Sequence, residues 1–178
     1  PVAAALAFAQ LHADGQFEYG YGQAVDGFEA ESSGWSPPVD ASIVSPLAGS
    51  DIVTLRFSDG GGARVIQHNT PSADLKVVAG ADLNLNDLVM VSDCEDAAIF
   101  QITNLQTVSG AQTNVVHNIG AVTVGPGNST SDLEKKFTNA EVVRVRTRSY
   151  FVRTGSNGPS LWRVDDGGTA QELVEGVE

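Results

Sequence analysis

The stretch Leu88–Asn104, LVMVSDCEDAAIFQITN, constrains the fold more than any other. It carries two short apolar runs, Leu88–Ser92 and Ala98–Thr103, separated by the acidic elbow Asp93–Asp96. Val, Ile and Phe fit a pleated, largely buried surface, and each run is too short for a helix. The pattern predicts a core β-hairpin. Its elbow holds Cys94, the one cysteine in the sequence.

Strand signals continue on both sides. Asp51–Phe57 alternates Ile52, Thr54 and Arg56 with Val53, Leu55 and Phe57, which predicts a half-buried strand with the odd-numbered residues inward. Asp59-Gly60-Gly61-Gly62 reads as a turn leading to a strand at Arg64–His68. No Lys-Ser/Thr follows these glycines, so they do not form a phosphate-binding loop. Leu75–Ala79 and Gln112–Asn118 are further strands, and Gly120–Leu133 is a long loop. Within it, Asn128-Ser129-Thr130 has the form of an N-glycosylation acceptor. Ala140–Arg153 is the longest strand signal, with Arg144, Arg146 and Arg148 on one face and Val143, Val145, Thr147 and Phe151 on the other. Ser160–Val164 and Gln171–Val174 close the chain as a hairpin around Asp165-Asp166-Gly167-Gly168.

Two segments depart from this texture. Val2–Leu11 is rich in helix formers and is expected to form a short helix, so that residues 1–15 make a helix stump or linker and residues 16–178 a single β-rich globular domain. Both ends of the chain read as cut. Gln16–Pro38 mixes glycines with Phe17, Tyr19, Tyr21, Phe28 and Trp35, a loop anchored by aromatics that either packs on the sheet or offers a binding surface. The expected class is mainly β: antiparallel sheet with a short N-terminal helix. No helices alternate with the strands, which excludes a doubly wound α/β fold.

Charge narrows the function. Ten Lys and Arg against 22 Asp and Glu leave a net charge of −12, unfavourable for nucleic acid or an anionic membrane surface. His12, His68 and His117 have no zinc-ligand spacing. The acidic neighbours Asp93, Glu95 and Asp96 disfavour a Cys94 thiolate, whether alone or paired with His117. They also lack the calcium-loop pattern. No catalytic, cofactor or metal residue is assigned, and the chain is not expected to be an enzyme. The three arginines read either as a basic binding face or as a solvated face answered by cross-strand acids.

The segments from Ala24 onward resemble the PilW family of type IV pilus minor pilins. The resemblance is carried by Val25-Asp26-Gly27-Phe28 with Trp35, Gly49–Arg56, Asp87–Cys94, Ala98–Thr103, Val116-His117-Asn118, Ser160–Arg163 and Glu172–Glu178. It implies a pilin-like head, α+β with the long N-terminal helix that this sequence lacks. That helix would anchor the chain in the inner membrane before assembly and pack into the filament. It further implies a structural role at the cell surface, after passage through the periplasm, in pilus assembly, adhesion or twitching motility. The partners would be major and minor pilins, one of which could donate a strand. Tyr19, Tyr21, Trp35, Arg144, Arg146 and Arg148 are then the candidate interaction surface, together with the loop Gly120–Leu133. Cys94 becomes a strand-end signature, a buried or formerly disulfide-paired position. The alternative is a ligand- or glycan-binding β-domain of an adhesin that uses exposed Trp35, Tyr19 and Tyr21.

Overall fold

The computed structural model describes residues 7–9, 11, 16–108, 111–120 and 124–177. Its strands, in chain order, are β1 (Ala7–Ala9), β2 (Val25–Glu31), β3 (Gly34–Ser36), β4 (Ile52–His68), β5 (Asp74–Val78), β6 (Leu88–Ser92), β7 (Ala97–Gln101), β8 (Asn104–Val108), β9 (Gln112–Val116), β10 (Glu141–Gly155), β11 (Gly158–Asp165) and β12 (Gln171–Glu175). With 52% of the described residues in strands and almost no helix among them, the protein is mainly β, as expected. The short N-terminal helix is not seen among the described residues. Most of Val2–Leu11 lies outside the described residues, as does His12, and Ala7–Ala9 instead pairs in parallel with Ala97–Ile99. Alanine favours helix, but intrinsic propensity is small beside the pairing that a formed strand offers.

The chain divides into two compact units, one holding residues 58–145 with the N-terminal residues, the other residues 17–57 and 146–178. Strands β4 and β10 each contribute residues to both units.

In the first unit the strand order is β1-β7-β6-β10-β4-β5-β9-β8. The predicted hairpin is part of its core: β6 and β7 pair antiparallel from Leu88–Gln101 to Ser92–Ala97, and every residue of β7 is buried. Val89, Val91, Ala98 and Phe100 pack with Leu75, Val77, Val115, Phe137 and Val142 in one apolar cluster. Each such side chain stabilises the unit by roughly 1.5–3 kcal/mol. Strand β8 went unforeseen because its polar sequence NLQTV carries little apolar signal, yet it pairs fully with β9. The glycines Gly60–Gly62 do not turn the chain; β4 runs straight through them. A Cβ on Gly62 would lie 2.8 Å from Glu141 Oε2 and 3.2 Å from Val143 Cγ1. Their role is close approach by the neighbouring strand rather than chain reversal.

Polar groups are buried here as well. Asn128 is fully buried: its Oδ1 accepts from the Gln101 N–H (2.7 Å) and its Nδ2 donates to the Gln101 carbonyl (2.9 Å), the bonds a paired strand would supply. The Gln101 side chain answers by donating to the carbonyls of Asn86 and Val124 and accepting from the Gly127 N–H. The Asn-Ser-Thr triplet is therefore a structural device, since an amide enclosed in this way is not presented to a glycosylating enzyme. His68 and His117 are also buried, with ring centroids 6.5 Å apart. His68 Nδ1 accepts from the Phe137 N–H (3.1 Å), which places its proton on Nε2. Neither ring nitrogen of His117 has a partner among the described residues.

Two outcomes follow from these buried groups. Burial, reinforced by His68, lowers the His117 pKa from 6.5 to about 4, and burial lowers that of His68. Asp74 and Asp132 oppose both shifts only in part. The unfolded chain therefore binds protons first as pH falls, and stability declines from pH about 6.5 towards about 4. For His117 alone the loss is on the order of 3 kcal/mol. Urea unfolding at neutral and acidic pH should show this slope, and His117→Leu should reduce it; equal slopes would refute the assignment. Asn128→Ala, which strands the Gln101 N–H and carbonyl, should cost roughly 2–3 kcal/mol in the same assay at neutral pH.

Candidate interaction surface

In the second unit the strand order is β3-β2-β4-β10-β11-β12. The aromatic segment is not a loop throughout. It begins with a single 3-10 turn at Phe17–Tyr19 and continues into the hairpin β2–β3, in which Ala30 faces Trp35. Phe28 is buried with Ile43, Ile52, Phe151 and Val164, and Phe17, Trp35 and Trp162 pack against that cluster.

Within this unit β4 buries the face opposite to the one expected. Ile52, Thr54 and Arg56 are inward; Val53 is exposed, and Leu55 and Phe57 are half-buried. The inversion has a polar cause. Thr54 Oγ1 meets Ser149 Oγ at 2.7 Å. The Arg56 guanidinium pairs with Asp26 and donates to the carbonyls of Gln23 (3.0 Å) and Phe17 (2.7 Å). It also lies 5.0 Å from the centre of the Phe17 ring. An arginine can turn inward when its charge and most of its donors are answered. Sequence alternation alone missed it; Asp26, on the strand paired with β4, was the available signal.

The candidate residues separate into distinct settings. Tyr19, Tyr21, Arg146 and Arg148 come together around the turn after β11. Asp166 accepts from Arg146 Nη1 (2.6 Å) and from the Thr147 N–H (2.8 Å). Asp165 accepts from Arg148 Nε (2.7 Å), and the Arg148 guanidinium stacks over Phe57 at 5.1 Å. Thr147 Oγ1 donates to the Glu18 carbonyl, which ties Phe17–Tyr19 to the same strand. Burial, Glu18 and Asp166 together raise the Tyr19 pKa, and burial above all raises that of Tyr21 to about 12. The Tyr21 hydroxyl has no hydrogen-bond partner among the described residues. Both phenols are thus neutral at physiological pH.

Trp35 lies apart from this group. It is half-buried, and its Nε1 donates to the Ser50 carbonyl at 2.8 Å. Arg144 belongs to the first unit, where it reaches Asp82 (3.2 Å), Asp87 (3.7 Å) and Asp59 (3.9 Å). All three arginines are therefore answered by acids.

No protein-family model, curated protein or solved structure matches this chain.

Cys94 is exposed and free, which corrects the expectation of a buried position. It takes a positive φ of 69° in the elbow. Asp93 Oδ1 accepts from the N–H groups of Glu95 (3.1 Å) and Asp96 (3.0 Å), and this local cap fixes a tight turn with Cys94 at its outer corner. Lys135 Nζ sits 2.9 Å from Asp93 and 2.5 Å from Asp96, so the acidic elbow already has its cation. Partial burial would raise the Asp93 pKa, but those two N–H groups and Lys135 outweigh it and lower it. Among the described residues no group of three or more His, Cys, Asp or Glu could hold a metal ion.

Asp166→Ala tests the tyrosine–arginine cluster. It leaves the buried Thr147 N–H without an acceptor and should cost about 1–3 kcal/mol in chemical unfolding. Loss of the neighbouring negative charge should also let Tyr19 ionise at lower pH in an ultraviolet titration. An unchanged tyrosine titration would show that Asp166 does not act on the phenols.

Proposed function

We propose that this chain is a non-catalytic assembly subunit, the globular head of a PilW-like minor pilin in a type IV pilus. The class is suggested by the sequence resemblance. The observation that supports an assembly role is the strand β12, Gln171–Glu175. Among the described residues it pairs with β11 alone, and all five of its residues are exposed, including the aliphatic Leu173 and Val174. An open strand edge with exposed aliphatics is a template for strand addition by another chain. Filament contacts are heterologous, and an open edge can accept a different segment of the neighbouring subunit.

On this reading the chain reaches the cell surface through the periplasm, and a long N-terminal helix provides its membrane anchor. No helix among the described residues is long and apolar enough to cross a membrane. The glycan-binding alternative draws less support, because Trp35 is half-buried and its indole N–H is occupied. A sugar-stacking platform needs an open ring face.

Deletion of the gene should abolish or strongly reduce surface pili seen by electron microscopy, and the native gene should restore them. Complementation with Leu173→Lys/Val174→Lys should fail although the variant is folded and exported. Normal piliation in the deletion strain would overturn the pilin reading; full rescue by the double variant would remove β12 from it.

A further inference from the structure

In so acidic a chain, the disposition of the ten Lys and Arg residues is informative. Arg56, Lys135, Arg144, Arg146, Arg148 and Arg163 each have a carboxylate partner. Arg153 stacks on Trp162 at 3.6 Å, and Lys76 donates to Gln67. Arg64 and Lys136 remain, with no side-chain hydrogen bond or ion pair among the described residues. Both belong to the first unit, both are exposed, and both line one cleft of about 220 Å³ between the end of β4 and the segment Lys136–Asn139. Ile66 borders the same cleft and is 41% exposed, while His68 and Phe137 are its buried floor.

With 22 acidic residues available, two neighbouring cations left unanswered beside an exposed isoleucine form a surface complementary to something outside the molecule. Asp74 and Asp132, close enough to influence His68, form no ion pair with either cation. We infer that this cleft is a docking site for an acidic, aliphatic segment of a partner protein, its carboxylates meeting Arg64 and Lys136 and its aliphatic side chain covering Ile66. The site stands whether or not the chain is a pilus subunit, because it uses neither β12 nor the tyrosine–arginine cluster.

The test uses the full chain, labelled with nitrogen-15, and the peptide Ac-Asp-Leu-Glu-Leu-Asp-NH2, with Ac-Asn-Leu-Gln-Leu-Asn-NH2 as its neutral counterpart. The acidic peptide should shift the amides of Arg64–Gln67 and Lys136–Asn139 saturably. Its affinity should fall with added salt, as expected for exposed charges. Arg64→Gln/Lys136→Gln should weaken binding by about tenfold or more. Both positions are exposed, so the melting temperature should be unchanged, which separates lost binding from lost fold. Equal binding of the neutral peptide, or equal affinity in the double variant, would overturn the proposal. So would an equal response to inorganic phosphate, which would mark a general anion site. Concentration-dependent shifts of the same amides without peptide would assign the cleft to a second copy and overturn it likewise.

Discussion

The first unit depends on closing the polar end of a strand that is buried along its whole length. Strand β7 has β6 on one edge and β1 on the other, and all its side chains are enclosed. At Gln101 the strand ends inside the protein, where each unpaired N–H or C=O would cost about 1–3 kcal/mol. Asn128 supplies the missing pair of backbone bonds, and the Gln101 amide reaches in turn to Asn86, Val124 and Gly127. The segment carrying Asn128, which also bridges to Leu11 and Gly120, is thereby tied to the end of β7. The arrangement also explains Gly125 and Gly127, both at positive φ. A Cβ on Gly125 would fall 2.1 Å from Gln101 Nε2, so only glycine lets the chain pass that close.

The second unit solves the same problem with a charge. Arg56 projects inward from β4 and is answered by one carboxylate and two main-chain carbonyls. Because those carbonyls belong to Phe17 and Gln23, the guanidinium fixes the segment between them, where Tyr19 and Tyr21 lie. Gly20 sits against it, an added Cβ meeting Arg56 Nη2 at 3.3 Å. The tyrosines are thus positioned by a partly buried ion pair on one side and by Thr147 and Asp166 on the other. Removing one member of such a network leaves the rest buried and unpaired, which is why these polar groups act as a set.

Much of this was legible in the sequence, and the misses have identifiable physics. The hairpin Leu88–Gln101 and the long strand β10 announced themselves because apolar β-branched runs of that length fit little besides a buried strand. Local pattern failed where a distant partner decides. Alternation in Ile52–Phe57 gives the period but not the inward face, which Asp26 and Ser149 settle from other strands. Gly60–Gly62 has the composition of a turn, and its real role is visible only with β10 alongside. Cys94 sits next to a buried strand, and its exposure follows from the Asp93 cap rather than from hydropathy. Of the candidate surface, the acid-answered arginines were readable from the charge balance. The separation of Trp35 from the two tyrosines was not, because it depends on how β2 and β3 pair.

These facts bear on where another molecule could bind. Tyr19, Tyr21, Arg146 and Arg148 look like a recognition patch when listed by type, but their charges and much of their surface are used within the fold. A partner would have to break Arg146–Asp166 or Arg148–Asp165 to use those cations, forfeiting what it gained. Binding is cheaper where valence is unanswered in the folded chain. Two such places stand out: the unpaired main-chain edge of β12 in one unit, and the Arg64–Lys136 cleft in the other. They offer different chemistry, main-chain hydrogen bonds with aliphatic cover at β12 and carboxylate recognition at the cleft. The proposed assembly role would draw on that difference, because surfaces with distinct requirements keep each neighbour from occupying the other's place.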